Sequence, residues 1–286
     1  METVLAGLTV HEQITERMIE ILEEGIIPWK TSWGQSEQPM NLMTLRPYRG
    51  INALLLAAYE YEQNYFLTDR QIEKMGAAVR KGQKPHMVID GVGFRSLCPY
   101  EVYNVCQCVD IPKKLIPAPN MRSTPEDAAK EVITQMWHCP RVRHGHSEPL
   151  YFYKTDTIYM PTGKAYETRQ DYLMAFLKPL IASCMHESRL GWIEISDCTA
   201  FDPEAKLQAE LVPEVGAFML RSFMGLHEKK ESDQETIEEW ICGFKRYPNL
   251  AFEAALKAQE AFEFITGLPF DARKAMDFVE DYELPF

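Results

Sequence analysis

Prolines at positions 112, 117, 119 and 125 crowd into residues 111–127, a stretch with no sustained apolar period. Each proline fixes φ and removes a backbone donor, so neither a regular helix nor an interior strand can run through such a segment. The chain therefore divides there. We expect a first unit over residues 1–115, a linker over 116–128 and a second unit over 129–286. With 286 residues, 46% of them apolar, there is enough chain to fill a sizeable core.

The two units differ in pattern. In the first, apolar Ile14, Met18, Ile21 and Leu22 recur at helical spacing after Thr9, and Gly25 ends the run. Residues 26–52 are punctuated by proline and carry no period. Helices over 53–61 and 68–76 and strands over 86–89, 93–97 and 100–105 follow. In the second unit the spacing predicts helices over 125–137, 168–185, 203–223, 233–245 and 249–266, with strands only over 150–153 and 157–160. The expected class is α+β, with a mostly helical second unit holding a small sheet.

Charge and cysteine usage narrow the function. A net charge of −12, from 30 Lys and Arg against 42 Asp and Glu, argues against a protein that coats nucleic acid with its whole surface. A local basic patch remains open. No run of about 18 apolar residues occurs and no basic-then-apolar leader precedes Val10, which points to a cytoplasmic protein with no membrane partner. Cys98, Cys106, Cys108, His138, Cys139, His144 and His146 do not fall into the paired spacings that structural zinc needs.

Two constellations could meet nucleic acid. Trp29, Lys30, Trp33, Arg46, Tyr48 and Arg49 put aromatic rings among cations in one loop, and single strands are held by base stacking plus phosphate contacts. The same tryptophans would serve equally as core anchors. Arg80, Lys81 and Lys84 surround Gly82 in a turn able to track a phosphate backbone, although a solvated turn would read alike. In the second unit Glu210 and Glu214 stand one helical turn apart with Pro213 between them, either as an acidic pair for chemistry or as solvent-facing residues. His-Glu occurs at His11 and His186, and neither dipeptide has the second histidine of a His-Glu-x-x-His zinc grip.

Taken together, the residues resemble the ArdC-type antirestriction proteins of plasmids, phages and other mobile elements. In the first unit the likeness is carried by Ile-Ile-Pro-Trp at 26–29, Pro-Met-Asn-Leu at 39–42, Pro-Tyr-Arg-Gly-Ile-Asn at 47–52 and Val-Arg-Lys-Gly at 79–82. In the second it is carried by Tyr-Met-Pro at 159–161, His-Glu-Ser-Arg-Leu at 186–190 and Ala-Glu-Leu-Val-Pro-Glu-Val-Gly at 209–216. The resemblance implies a single-stranded-DNA-binding domain followed by a zincin-like metallopeptidase domain. It also places the family's His-Glu-x-x-His on residues 178–182, which read Lys-Pro-Leu-Ile-Ala here. Lys178, Pro179 and Ala182 replace both histidines and the catalytic glutamate. Glu210 and Glu214 lie in the third-ligand region, and either could pair with Lys178 in place of a metal.

The expected function is accordingly single-strand binding with an antirestriction role, through Trp29, Lys30, Trp33, Arg46, Tyr48, Arg49, Asn52, Arg80, Lys81 and Lys84, and a second domain that is a pseudo-peptidase. No metal or other cofactor is expected. The partners would be single-stranded DNA and a host restriction or other defence protein. Two rivals stay open: an acidic inhibitor that occupies a DNA-processing enzyme, and a metallopeptidase with substitute ligands His186, Glu210 and Glu214.

Overall fold

The apolar period after Thr9 becomes α1, Val10–Glu23, opened by a capping box in which Thr9 and Glu12 satisfy each other's backbone N–H groups. The computed structural model describes residues 8–31, 33, 38–90, 97–117, 124–192, 202–226 and 234–268. After a loop come α2, Ile51–Ala57, and α3, Asp69–Lys74, the latter capped by Thr68 and Gln71. Four strands form the main sheet in the order β1-β2-β5-β4: Met40–Asn41, Tyr65–Leu67, Cys98–Asn104 and His86–Asp90. The β1–β2 pairing is parallel and the other two are antiparallel. A separate two-stranded ribbon joins β3, Ala78–Val79, to β6, Cys108–Val109.

Beyond the proline-rich crossing, α4 covers Pro125–Gln135 and a three-stranded sheet follows in the order β7-β9-β8: Arg141–His144, Thr157–Met160 and Leu150–Phe152. Helices α5, Arg169–Ser183, α6, Pro203–Phe223, α7, Gln234–Arg246, and α8, Leu250–Thr266, complete the second unit. Helices α5 and α6 touch closely. A Cβ added at Gly216 on α6 would meet the Ile181 side chain of α5 at 2.7 Å, so glycine there makes room for that side chain between the helices. Both helices continue past their internal prolines, Pro179 and Pro213.

The largest apolar cluster spans both units, while two smaller clusters, around Leu67 and around Phe66, lie within the first. Ile14, Met18, Trp29 and Trp33 pack in one continuous apolar cluster with Leu177, Phe218, Phe244 and Phe262. The α+β class and the helix-rich second half agree with the expectation. Strands β1, β2, β3 and β6, of two or three residues each, are too short for a readable period, and β7 shows no apolar alternation; none of the five is expected from the sequence. The strand expected at residues 93–97 lies, except for Leu97, outside the described residues. Among the described residues no helix is long and apolar enough to cross a membrane.

Candidate nucleic-acid interface and the zincin-like helix pair

The aromatic loop is folded inward. Trp29 is 2% exposed and meets Trp240 and Phe244 edge-on at 5.5 and 6.3 Å. Trp33 packs edge-on against Phe218 at 5.7 Å, and Tyr48 against Phe66 at 6.1 Å. Burial also pushes the Tyr48 hydroxyl up to about 12. Rings held this way offer no face to a base, which corrects the expected stacking role of Trp29, Trp33 and Tyr48. The covering helices supply the reason. Arg221 of α6 reaches into the loop and donates to the carbonyls of Trp29 at 2.9 Å and Thr31 at 2.8 Å. Its own burial lowers the guanidinium to about 10.

Polar residues of the same loop are similarly spent on the fold. Arg49 pairs with the buried carboxylate of Glu263 on α8. Asn52 holds strand β4 by donating to the Ile89 carbonyl at 2.7 Å and accepting from its N–H at 2.8 Å. These contacts turn the two side chains expected to meet a single strand to structural use: Arg49 ties the first unit to α8 of the second, and Asn52 ties α2 to β4 within the first. Lys30 and Arg46 are half-buried.

The 80–84 turn points outward instead. Arg80, Lys81 and Lys84 are all exposed, and none joins an ion pair among the described residues. The β3–β6 ribbon anchors one end, where the Arg80 N–H donates to the Gln107 carbonyl. Gln107 fixes the other, its amide donating to the Lys84 carbonyl at 2.9 Å. Between them Gly82 takes φ +86°, a left-handed bend that glycine adopts without strain. Beside the turn opens a cleft of about 730 Å³ whose lining includes Arg80, Lys113, Cys106, Cys108, Glu62 and Ile111. Burial raises both thiols above the usual cysteine range, so they stay protonated. Lys113, in the proline-rich crossing, carries no signal in the sequence beyond its charge, yet the fold brings it to this cleft.

At the place that the resemblance assigns to a zinc grip, the ammonium of Lys178 lies 2.5 Å from Glu214. Helix α5 presents Lys178 outward and keeps Pro179 buried, while Ala182 contributes only a methyl group. Glu210 is exposed, 4.0 Å from Lys206. A cation, an imino acid and a methyl group donate nothing to a divalent metal, and the nearest carboxylate is already neutralised by Lys178. These residues do not fit a bound zinc. His186 bonds with Ser188 at 2.8 Å, and no group of three or more His, Cys, Asp or Glu able to hold a metal occurs among the described residues. His186, Glu210 and Glu214 are therefore not gathered as substitute ligands, nor are the cysteines and histidines of residues 98–146. The neighbouring Arg189 has a structural part: its buried guanidinium binds Asp156, the Tyr151 hydroxyl and the carbonyls of His138 and Ser183, fastening sheet to helix.

Comparison with known proteins adds to this geometry. Residues 9–111 match the model of the N-terminal domain of anti-restriction factor ArdC, and residues 128–257 match that of a zincin-like metallopeptidase. A DNA primase TraC from Escherichia coli is 24% identical over 290 residues, covering 89% of this chain and 27% of that protein. The chain thus spans about a quarter of that relative's length. An uncharacterised protein, y4eC, from Sinorhizobium fredii is 24% identical over 296 residues, covering 93% of this chain and 94% of that protein. The manganese-bound crystal structure of the antirestriction protein ArdC from plasmid R388 superposes with a TM-score of 0.72 at 25% identity, over 95% of this chain and 100% of that one.

Proposed function

We propose, for a chain that belongs to the ArdC-type antirestriction family, that it binds single-stranded DNA through the 80–84 turn and that its zincin-like domain hydrolyses no peptide bond. One observation carries the binding reading. Arg80, Lys81 and Lys84 stand exposed on a turn pinned at both ends, next to a cleft whose rim adds Lys113. Cations without ion-pair partners on a rigid turn suit phosphate contact, because little side-chain partnering must be broken to bind. The DNA-directed name of the TraC relative is in keeping with this, though its priming activity belongs to a protein about four times the length matched here.

The test is binding of an oligothymidylate at several salt concentrations. Affinity should fall steeply with salt, and replacing Arg80, Lys81 and Lys84 by alanine should flatten the log–log slope by about 2, at about 0.7 per lost phosphate contact. Absence of any salt-dependent affinity in the unaltered protein would remove the reading. Capture of a nuclease or methyltransferase under those conditions would favour the acidic-inhibitor alternative, which the net charge of −12 supports.

The non-peptidase half rests on the Lys178–Glu214 pair. Removing both histidine ligands and the glutamate that would activate water leaves nothing to polarise a peptide carbonyl or deliver the nucleophile. Metal analysis should find no tightly held zinc in the purified protein. The triple change Lys178→His, Pro179→Glu and Ala182→His should gain zinc by recruiting Glu214. Stoichiometric zinc in the unaltered chain would overturn this half alone.

A further inference from the structure

The combination of ring and cation that the 26–52 loop keeps inside is found on the outside of the second unit. Trp137, just past the end of α4, is 68% exposed and the most open large apolar side chain among the described residues. Its ring neighbours among the described residues are His138 at 4.1 Å and Phe264 at 6.4 Å between ring centres. Four residues on, strand β7 forms one edge of its sheet, paired with β9 on one side only. All of residues 141–148 are exposed.

The alternation of the strand sorts its side chains. Val142 and His144 lie opposite buried Ile158 and Met160, and His144 reaches the Tyr172 hydroxyl at 3.0 Å. Arg141 and Arg143 take the other face, opposite Thr157 and Tyr159. Neither arginine joins an ion pair among the described residues. His146 packs its ring on Tyr159 at 5.6 Å, so an aromatic pair flanks the two cations. Residues i and i+2 of a strand are about 7 Å apart, the scale of successive phosphates along an extended single strand. The chain spans at most about 14 Å from Trp137 to Arg141 and about 21 Å to Arg143, which puts Trp137 within a few nucleotides of both arginines.

We propose that Trp137, Arg141 and Arg143 form a second contact surface for single-stranded nucleic acid, with a base on the indole and phosphates on the guanidinium groups. Resting on the reading of the chain as a single-strand binder, this surface supplies the stacking that the buried loop does not. Charge complementarity selects the occupant: two cations without ion-pair partners beside an open ring, on a protein of net charge −12, favour a polyanion with planar groups.

The experiment follows tryptophan emission of the full chain with oligothymidylate. Trp29, Trp33 and Trp240 are buried and Trp192 half-buried, so solvent-accessible emission is dominated by Trp137. Oligothymidylate should quench that emission and shield it from iodide, and Trp137→Phe should abolish the signal while keeping most of the affinity. Trp137→Ala should weaken binding about tenfold. The pair Arg141→Ala and Arg143→Ala should lower the salt slope by about 1.4, for two phosphates at about 0.7 each. If the unaltered protein binds with a salt-dependent affinity that Trp137→Ala and the arginine pair leave unchanged, this inference falls and the 80–84 reading stands. No binding by the unaltered protein removes both. The segment 269–286 carries five acidic and two basic residues. If deleting it changes Trp137 emission while oligothymidylate does not, the surface belongs to that acidic segment and the proposal is overturned.

Discussion

Residues 26–52 and residues 137–146 are alike in chemistry and opposite in placement. Both put tryptophan among cations, yet Trp29 and Trp33 are 2% and 3% exposed while Trp137 is 68% exposed. What separates them is the surroundings. The first stretch is covered by α6, which brings Phe218 and the buried Arg221, by α7, which brings Trp240 and Phe244, and by α8, which brings Glu263. The second lies at a sheet edge with nothing of the described chain over it. Composition names a chemistry, and the helices that cover it decide whether the chemistry is available.

The largest expected difference is in stability. Trp29→Ala should destabilise the protein by about 3 to 5 kcal/mol, since it empties a large site in the shared core, whereas Trp137→Ala should cost less than about 0.5 kcal/mol. Chemical denaturation reads both, and equal losses would break the comparison.

Acid should act on the buried side next. His86 is enclosed by Tyr59, Tyr61 and Phe66, and burial lowers its pKa to about 4. A depressed folded value gives stability that is full above the ordinary histidine pKa of about 6.5 and is lost as pH falls toward about 4, up to about 3 kcal/mol in all. His86→Phe should flatten stability against pH across that window. A slope unchanged by the substitution would place the acid sensitivity elsewhere.

Arg221→Met keeps the bulk but withdraws the donors to the Trp29 and Thr31 carbonyls. It should cost about 2 kcal/mol and loosen the loop, seen as faster amide exchange over residues 26–33. The smallest effect belongs to the Lys178–Glu214 pair. Its lysine is 52% exposed, so Lys178→Ala should change stability by less than about 1 kcal/mol. A larger loss would mean that the pair supports the α5–α6 contact.

Much of the fold was legible because long helices announce themselves. The spans of α1, α5, α6 and α8 and the cap at Thr68 can be read directly, while the caps at Thr9 and Thr168 emerge only in the structure. The pairing of Lys178 with Glu214 followed from the resemblance and the spacing of Glu210 and Glu214 on one helix face. The fate of Trp29 was not legible, since its covering residues, Trp240 and Phe244, come from about 200 positions away and no local pattern links them. Strand β7 was hidden for the converse reason. Four exposed residues, Arg-Val-Arg-His, give no apolar alternation.

Photo-crosslinking the unaltered protein to oligothymidylate, with the joined peptides identified by mass spectrometry, tests most directly where a single strand runs. Crosslinks should fall on Trp137 and on peptides holding the 80–84 turn, with none on Trp29, Trp33 or Tyr48. Crosslinks concentrated on Trp29 or Trp33 would contradict the account, because they would require the shared core to open when DNA binds.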